Sequence, residues 1–167
     1  MANILVIIAP ENFQEIEYQT PKRILEEHGH KITTASTVKN PIGHLNTRIN
    51  ADLLISEIDE NDYNAILFVG GGGSSFYFDY EPAHRLAKQF YQSGKLVSAI
   101  CAAPSILANA GLLNGKLATS FPSQQKSLEQ KGAIYSVKNV QKDGKIITAK
   151  GPNAAEEFAE KINEELN

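Results

Sequence analysis

Ser98 to Gly111 reads SAICAAPSILANAG, and it contains the only cysteine of the chain. Leu96 to Ile100 is a short apolar run, the pattern of a strand covered on both faces. Ala103 to Ala110 reads as a helix, with Pro104 in its first turn, where the missing N–H of proline costs nothing. Strand and helix are joined by almost no loop, and Cys101 stands at the junction. A tight strand-to-helix step of this kind is one unit of an α/β sheet, and the rest of the chain repeats it.

Working outward, Asn3 to Ala9 is an apolar, β-branched-rich run that predicts a first core strand. Gln14 to His28 carries Ile16, Ile24 and Leu25 among charges, and Gly29 stands where a helix commonly ends. Lys31 to Ser36 reads as a second strand, and Asn64 to Val69 as a third, closed by four glycines. Glu81 to Ser93 has a helical pattern, with Leu86, Ala87 and Phe90 on one side and Gly94 ending it. Leu117 to Thr119 reads as a short strand and Ser123 to Lys131 as a helix. Asp143-Gly144 lies between two strand-like runs, a hairpin signal. Asn153 to Leu166 closes the chain as an amphipathic helix, capped by Asn153 or the turn before it. The alternation predicts one domain over residues 1–167, an α/β sandwich around a mainly parallel sheet.

Composition removes several classes of function. Sixteen basic against nineteen acidic side chains leave a net charge of −3, which gives no electrostatic reason to expect nucleic acid or an anionic membrane as partner. One cysteine excludes an internal disulfide framework and a cysteine-rich zinc site. No cofactor or metal is expected. The first residues, MANILVIIAPENF, lack a basic leader, and the run from Ile4 to Ala9 is too short for a membrane span. The expected location is the cytoplasm.

Ligands of a parallel sheet bind outside the carboxyl ends of its strands, where Cys101 falls. Ala99 and Ala103 flank it, and small residues there suit a nucleophile elbow. A free thiol is among the most buried residue types, so plain burial is the alternative reading. At an elbow the sulfur would face the free N–H groups of the following helix, which favour a thiolate. A nucleophilic thiol also needs a base or an orienting partner. The histidines stand at 28, 30, 44 and 84, none beside the cysteine in sequence. His28 and His30 flank the end of the first helix and read as solvated; His84 reads as an exposed helix position.

Glu11, Glu15 and Glu17 follow the first strand, at the same edge of the sheet as Cys101. Pro21 cannot donate to the carbonyl of Glu17, so a kink is expected, or a fresh helix capped by Thr20. An ionised glutamate would raise the thiol pKa, whereas a protonated one would donate a hydrogen bond and lower it. Glu17 is read as the protonated partner of Cys101. The run GGGGSS, Gly70 to Ser75, lacks the Lys-Ser/Thr of a phosphate-binding loop and does not follow the first strand as a dinucleotide fingerprint would. It reads instead as a place of close backbone approach, with N–H groups that would hold an oxyanion or an oxidised sulfur.

Four segments, ENFQEIEYQTPKRILEEHG, AILFVGGGG, SAICAAPSILANAGLLNGKLATSFP and DGKIITAKGP, together resemble the ThiJ/PfpI superfamily, which includes the human parkinsonism-associated deglycase and archaeal intracellular peptidases. They run from residue 11 to residue 152, nearly the whole chain. The resemblance implies a flavodoxin-like α/β sandwich and commonly a homodimer or larger assembly. It implies a nucleophilic cysteine at Cys101, a protonated glutamate at Glu17, and backbone donors at Gly70, Gly71 and Ala102. Three departures matter. Peptidase-like members have a histidine directly after the cysteine, where this chain has Ala102. Deglycase-like members have one twenty residues after it, where this chain has Phe121. Some peptidase-like members add an acidic residue from a neighbour's glycine loop, and here Ser74 and Ser75 occupy that region.

A cysteine peptidase needs an acid to protonate its leaving amine, so loss of both histidines places proteolysis third. A glyoxalase or deglycase reaction on a small aldehyde needs less, and Glu17 would carry its proton transfers. The non-enzymatic alternative is a peroxide-sensing protein or chaperone acting through oxidation of Cys101 to a stabilised sulfinate. The expected partners are therefore a small aldehyde or peroxide and a second copy of the chain. His44 and Arg48 are further residues that would have to reach the site from another segment or subunit.

Overall fold

The computed structural model describes residues 1–167. Strand β1 (Asn3–Ile7) is followed by a short β2 (Glu11–Phe13), helix α1 (Glu15–Glu27) and β3 (Lys31–Ser36). Two very short strands, β4 (Ile42–Gly43) and β5 (Leu53–Leu54), precede β6 (Ala65–Phe68), α2 (Glu81–Gln92), β7 (Leu96–Ile100) and α3 (Pro104–Asn109). The remainder is β8 (Leu117–Ala118), α4 (Gln125–Gln130), β9 (Ile134–Tyr135), β10 (Val140–Asp143), β11 (Ile146–Ala149) and α5 (Ala155–Leu166).

Seven strands form the main sheet in the order β10-β11-β7-β6-β1-β3-β5. Every pairing is parallel except the β10–β11 hairpin. The predicted α/β sandwich is what the chain forms. β1 has β3 on one side and β6 on the other, so the chain first winds outward one way and then returns to wind the other. The crevice at such a reversal is where a doubly wound sheet takes its ligand. β1, β6 and β7 are buried almost throughout, which is why they read as continuous apolar runs rather than alternating ones. α1 packs on α5, while α2 packs on α3, β6 and β7. Helices thus cover the sheet, as burial of both faces requires.

Several expectations need correction. α1 is unbroken through Pro21, with no new start at Thr20. Tyr18, Pro21, Ile24 and Leu25 are all buried, so the ring lies on the packed stripe, and its burial offsets the lost ladder bond. α5 begins at Ala155 without a side-chain cap, because Pro152–Ala154 form a separate turn of 3-10 helix; Asn153 caps nothing. The short strand expected at Leu117 is present as Leu117–Ala118, paired with β9 in a small sheet of its own. Of the two histidines expected in solvent, only His28 is there, paired with Glu160 at 3.0 Å. His30 is 4% exposed. Its Nδ1 accepts from the Ala2 N–H at 3.0 Å and its Nε2 donates to Asn163 at 2.8 Å. Those two bonds orient the ring and tie the start of the chain to α5.

Candidate active site

The elbow begins where β7 ends. Cys101 has φ +67°, in the left-handed region that L-residues enter only under constraint. Two backbone bonds supply the constraint. The Cys101 N–H donates to the Ala149 carbonyl at 2.8 Å, and the Cys101 carbonyl accepts from Phe121 at 2.7 Å. The conformation costs roughly 1–3 kcal/mol. Ala99 and Ala103 are fully buried, so larger side chains would not fit the bend. Pro104 opens α3, as the sequence predicts.

Gly70 and Gly71 follow β6, beside the elbow. A Cβ at Gly70 would lie 2.5 Å from Glu17 Oε1 and 2.6 Å from Cys101 Cβ. Glycine is required there by crowding. Gly71 adds a positive φ of 100°. The same loop is tied to the start of α1, because the Gln14 N–H donates to the Gly70 carbonyl at 3.1 Å. Gln14 also caps α1 through its side chain, which accepts from Ile16 N at 3.0 Å. α1 therefore enters the sheet edge at a fixed angle and directs Glu17, fully buried, at the thiol.

The five residues predicted for the site do meet, with one division of labour. The backbone N–H groups of Gly71 and Ala102 approach the Cys101 sulfur, whereas that of Gly70 approaches the Glu17 carboxyl. Neither Glu17 oxygen has a partner in full hydrogen-bond geometry. Burial is accordingly the main influence on Glu17 and pushes its carboxyl up to about 7, against the weaker pull of Cys101 and Gly70. Burial also pushes the Cys101 thiol up, to about 12, followed by the Glu17 charge and its hydrogen bond; Gly71 and Ala102 oppose. This corrects the expectation of a thiol lowered by its place at a helix start and by a protonated Glu17: burial outweighs both. Protonating Glu17 removes its charge and leaves burial as the main raising influence, so the thiol stands lower beside a neutral Glu17 than beside an ionised one. The two groups titrate as one pair.

The raised carboxyl has a consequence for stability. Below its ordinary value of 4.5, Glu17 is neutral in the folded and unfolded chain alike. As pH rises towards 7 the unfolded chain ionises first, so stability is lost across that window. Above it the whole penalty stands, about 3 kcal/mol at about 1.4 kcal/mol per pH unit. Glu17→Gln is expected to unfold at higher urea than the wild type at pH above about 8, with the advantage gone near pH 4. Parallel curves at both pH values would show that Glu17 is not held in a desolvated state.

Cys101 is 8% exposed and forms part of a pocket of about 320 Å³ lined by Gly71, Ser75, Phe78, Phe121 and Gln124. No histidine lines it. His84 bonds the Phe78 carbonyl at 2.6 Å, and His44 and Arg48 are held on the segment beside β2. Glu11 is exposed on β2. Glu15 is 3% exposed and accepts from Leu45 N at 2.7 Å and Thr47 N at 3.2 Å. It anchors the loop after β4, a role that no local sequence signal announced. No group of histidine, cysteine and carboxylate side chains is arranged to hold a metal ion, and no helix is long and apolar enough to cross a membrane.

A thiol on a strained elbow, with a buried carboxyl beside it at the reversal of a doubly wound sheet, defines a class of α/β proteins built around a cysteine. Comparison narrows the class: the chain belongs to the DJ-1/PfpI family, which it matches over residues 2–165. It is 40% identical to an uncharacterised protein of Methanocaldococcus jannaschii, over 94% of this chain and 78% of that one. It is 34% identical to Protein dj-1beta of Drosophila melanogaster, over 97% of this chain and 88% of the relative. The crystal structure of a ThiJ/PfpI domain protein from Brachyspira murdochii superposes with a TM-score of 0.96 at 34% identity, covering 99% of this chain and 96% of that one. Other relatives bear activity names. A Pyrococcus abyssi protein called a deglycase is 29% identical over 89% of this chain and 90% of its own length. A glutathione-independent glyoxalase of Caenorhabditis elegans is 30% identical over 97% and 87%.

Proposed function

We propose that the protein converts small 2-oxo aldehydes such as methylglyoxal to 2-hydroxy acids, with Cys101 as nucleophile and Glu17 as proton carrier. The observation that carries this reading is the placement of a carboxyl raised to about 7 beside a thiol that opens onto a pocket. In the first step the sulfur adds to the aldehyde carbon, and the thiol proton rests on Glu17. The Gly71 and Ala102 N–H groups receive the charge that develops on the former carbonyl oxygen. Glu17 returns its proton to that oxygen, giving a hemithioacetal; it then takes the proton bonded to the same carbon and delivers it to the neighbouring carbon, while the hemithioacetal hydroxyl proton passes to the neighbouring carbonyl oxygen. The former aldehyde carbon is now a thioester, and water hydrolyses it to release lactate and the free thiol. No amine departs, so no imidazole is required. A carboxyl that titrates near neutrality takes up and gives back a proton in turn. Purified protein and methylglyoxal are expected to yield D-lactate. Production at the uncatalysed rate would remove the reading.

Oxidation of the same thiol is the second reading, favoured by the absence of histidine from the pocket, which costs oxidation nothing. A sulfinate on Cys101 would accept from Gly71 and Ala102 and from protonated Glu17. Mild peroxide is expected to add two oxygen atoms at Cys101 in the wild type and not in Glu17→Leu, as read by mass spectrometry. Equal oxidation in both would separate the sulfinate from Glu17.

A further inference from the structure

Phe121 lines the pocket over Cys101. That side chain, 45% exposed, also forms a wall of a second cavity of about 360 Å³, lined with Asn139, Lys150, Gly151 and Asn153. The register of the sheet explains the proximity. Ala149, the last residue of β11, accepts the Cys101 N–H, so the chain that leaves β11 passes directly from the elbow into the second cavity.

The lining of this cavity has one charge sign. Lys150 takes part in none of the ion pairs of the molecule, and no carboxylate lines the space. The Gly151 and Asn153 backbone N–H groups have no backbone acceptor within the chain. Donors and one cation, all without an internal partner, border an opening next to the thiol. A third cavity, of about 650 Å³, borders the Cys101 pocket at the shared residues Gly72 and Ser75, away from Phe121. Glu11 lines that one, so its charge disfavours an anion there. Of the two directions in which a substrate could extend from Cys101, only the Phe121 side suits negative charge.

We propose that the Phe121–Lys150 cavity is the tail subsite of the Cys101 pocket, and that the preferred substrates are 2-oxo aldehydes ending in a carboxylate. The proposal rests on the aldehyde reading for its chemistry. With 4,5-dioxovalerate, the sulfur adds to the aldehyde carbon while the far carboxylate takes hydrogen bonds from Lys150 and the Gly151 and Asn153 N–H groups. One water is consumed. The aldehyde carbon becomes a carboxylate, its proton moves to the adjacent carbon, and the product is 2-hydroxyglutarate.

The test compares 4,5-dioxovalerate with neutral 2-oxopentanal, a chain of equal length, in the wild type, Lys150→Gln and Lys150→Arg. The ratio of kcat/KM values is expected to favour the anion about tenfold in the wild type, to fall about tenfold in Lys150→Gln, and to persist in Lys150→Arg, because a charged donor is being removed or kept. A ratio of one in the wild type, or one indifferent to Lys150→Gln, would overturn the subsite. Protection of Cys101 from iodoacetamide by the same two compounds separates this outcome from failure of the chemistry. If neither is turned over but the anion protects better and loses its advantage in Lys150→Gln, the subsite stands and the glyoxalase reading falls. Equal protection by both removes the subsite.

Discussion

Cys101→Ala is expected to bring D-lactate formation from methylglyoxal down to the uncatalysed background. The covalent route begins with a sulfur–carbon bond, and no other side chain in the pocket can form one: its remaining polar groups are Ser75, Ser123, Gln124 and backbone. Ser75 is already committed to the Gly72 carbonyl at 3.0 Å, and Gln124 accepts from Ser105 at 2.7 Å. The substitution removes one atom from a site that is 8% exposed and leaves the elbow to the same two backbone bonds. The fold should therefore persist, as circular dichroism would show. Residual turnover close to that of the wild type would mean that the sulfur is not the nucleophile.

Glu17→Gln and Glu17→Leu are both expected to lower kcat by about 10²–10⁴-fold, the usual contribution of a positioned acid–base group. Gln keeps the shape and a hydrogen-bond donor but cannot pass a proton back and forth. The fully buried Glu17 is the only titratable side chain that the structure directs at the sulfur, so no neighbour can replace it. The Gln variant should lose turnover while gaining stability at alkaline pH. That opposition distinguishes a group held for chemistry from one held for packing. A fall of less than about tenfold in kcat would remove Glu17 from the proton path.

How far the sequence carried these conclusions depended on how local the physics was. β7 and the elbow were legible because an apolar run, flanking alanines and Pro104 all act within a dozen residues. Gly70 was legible as a place of close approach, though not what approached: its crowding by Glu17 and Cys101 is set by three separate elements. The division of N–H groups, with Gly70 serving the carboxyl and Gly71 the thiol, was invisible for the same reason. His30 read as solvated because it follows a helix end, yet Ala2 and Asn163 close over it from the two ends of the chain. Glu15 and Lys150 carried no local signal. Their roles come from loops that fold back after β4 and β11. The helix start and the carboxyl beside Cys101 are both legible, but the burial that raises the thiol most is set by the packing of distant elements.

The coupling of Cys101 to Glu17 is the centre of the account, and titration of the thiol by its ultraviolet absorbance tests it most directly. In Glu17→Gln a neutral donor replaces the carboxyl, so the thiolate should form at lower pH than in Glu17→Leu, which offers neither charge nor donor. The wild type should differ from both, because its carboxyl can ionise. Identical thiol midpoints in wild type, Gln and Leu proteins would contradict the account.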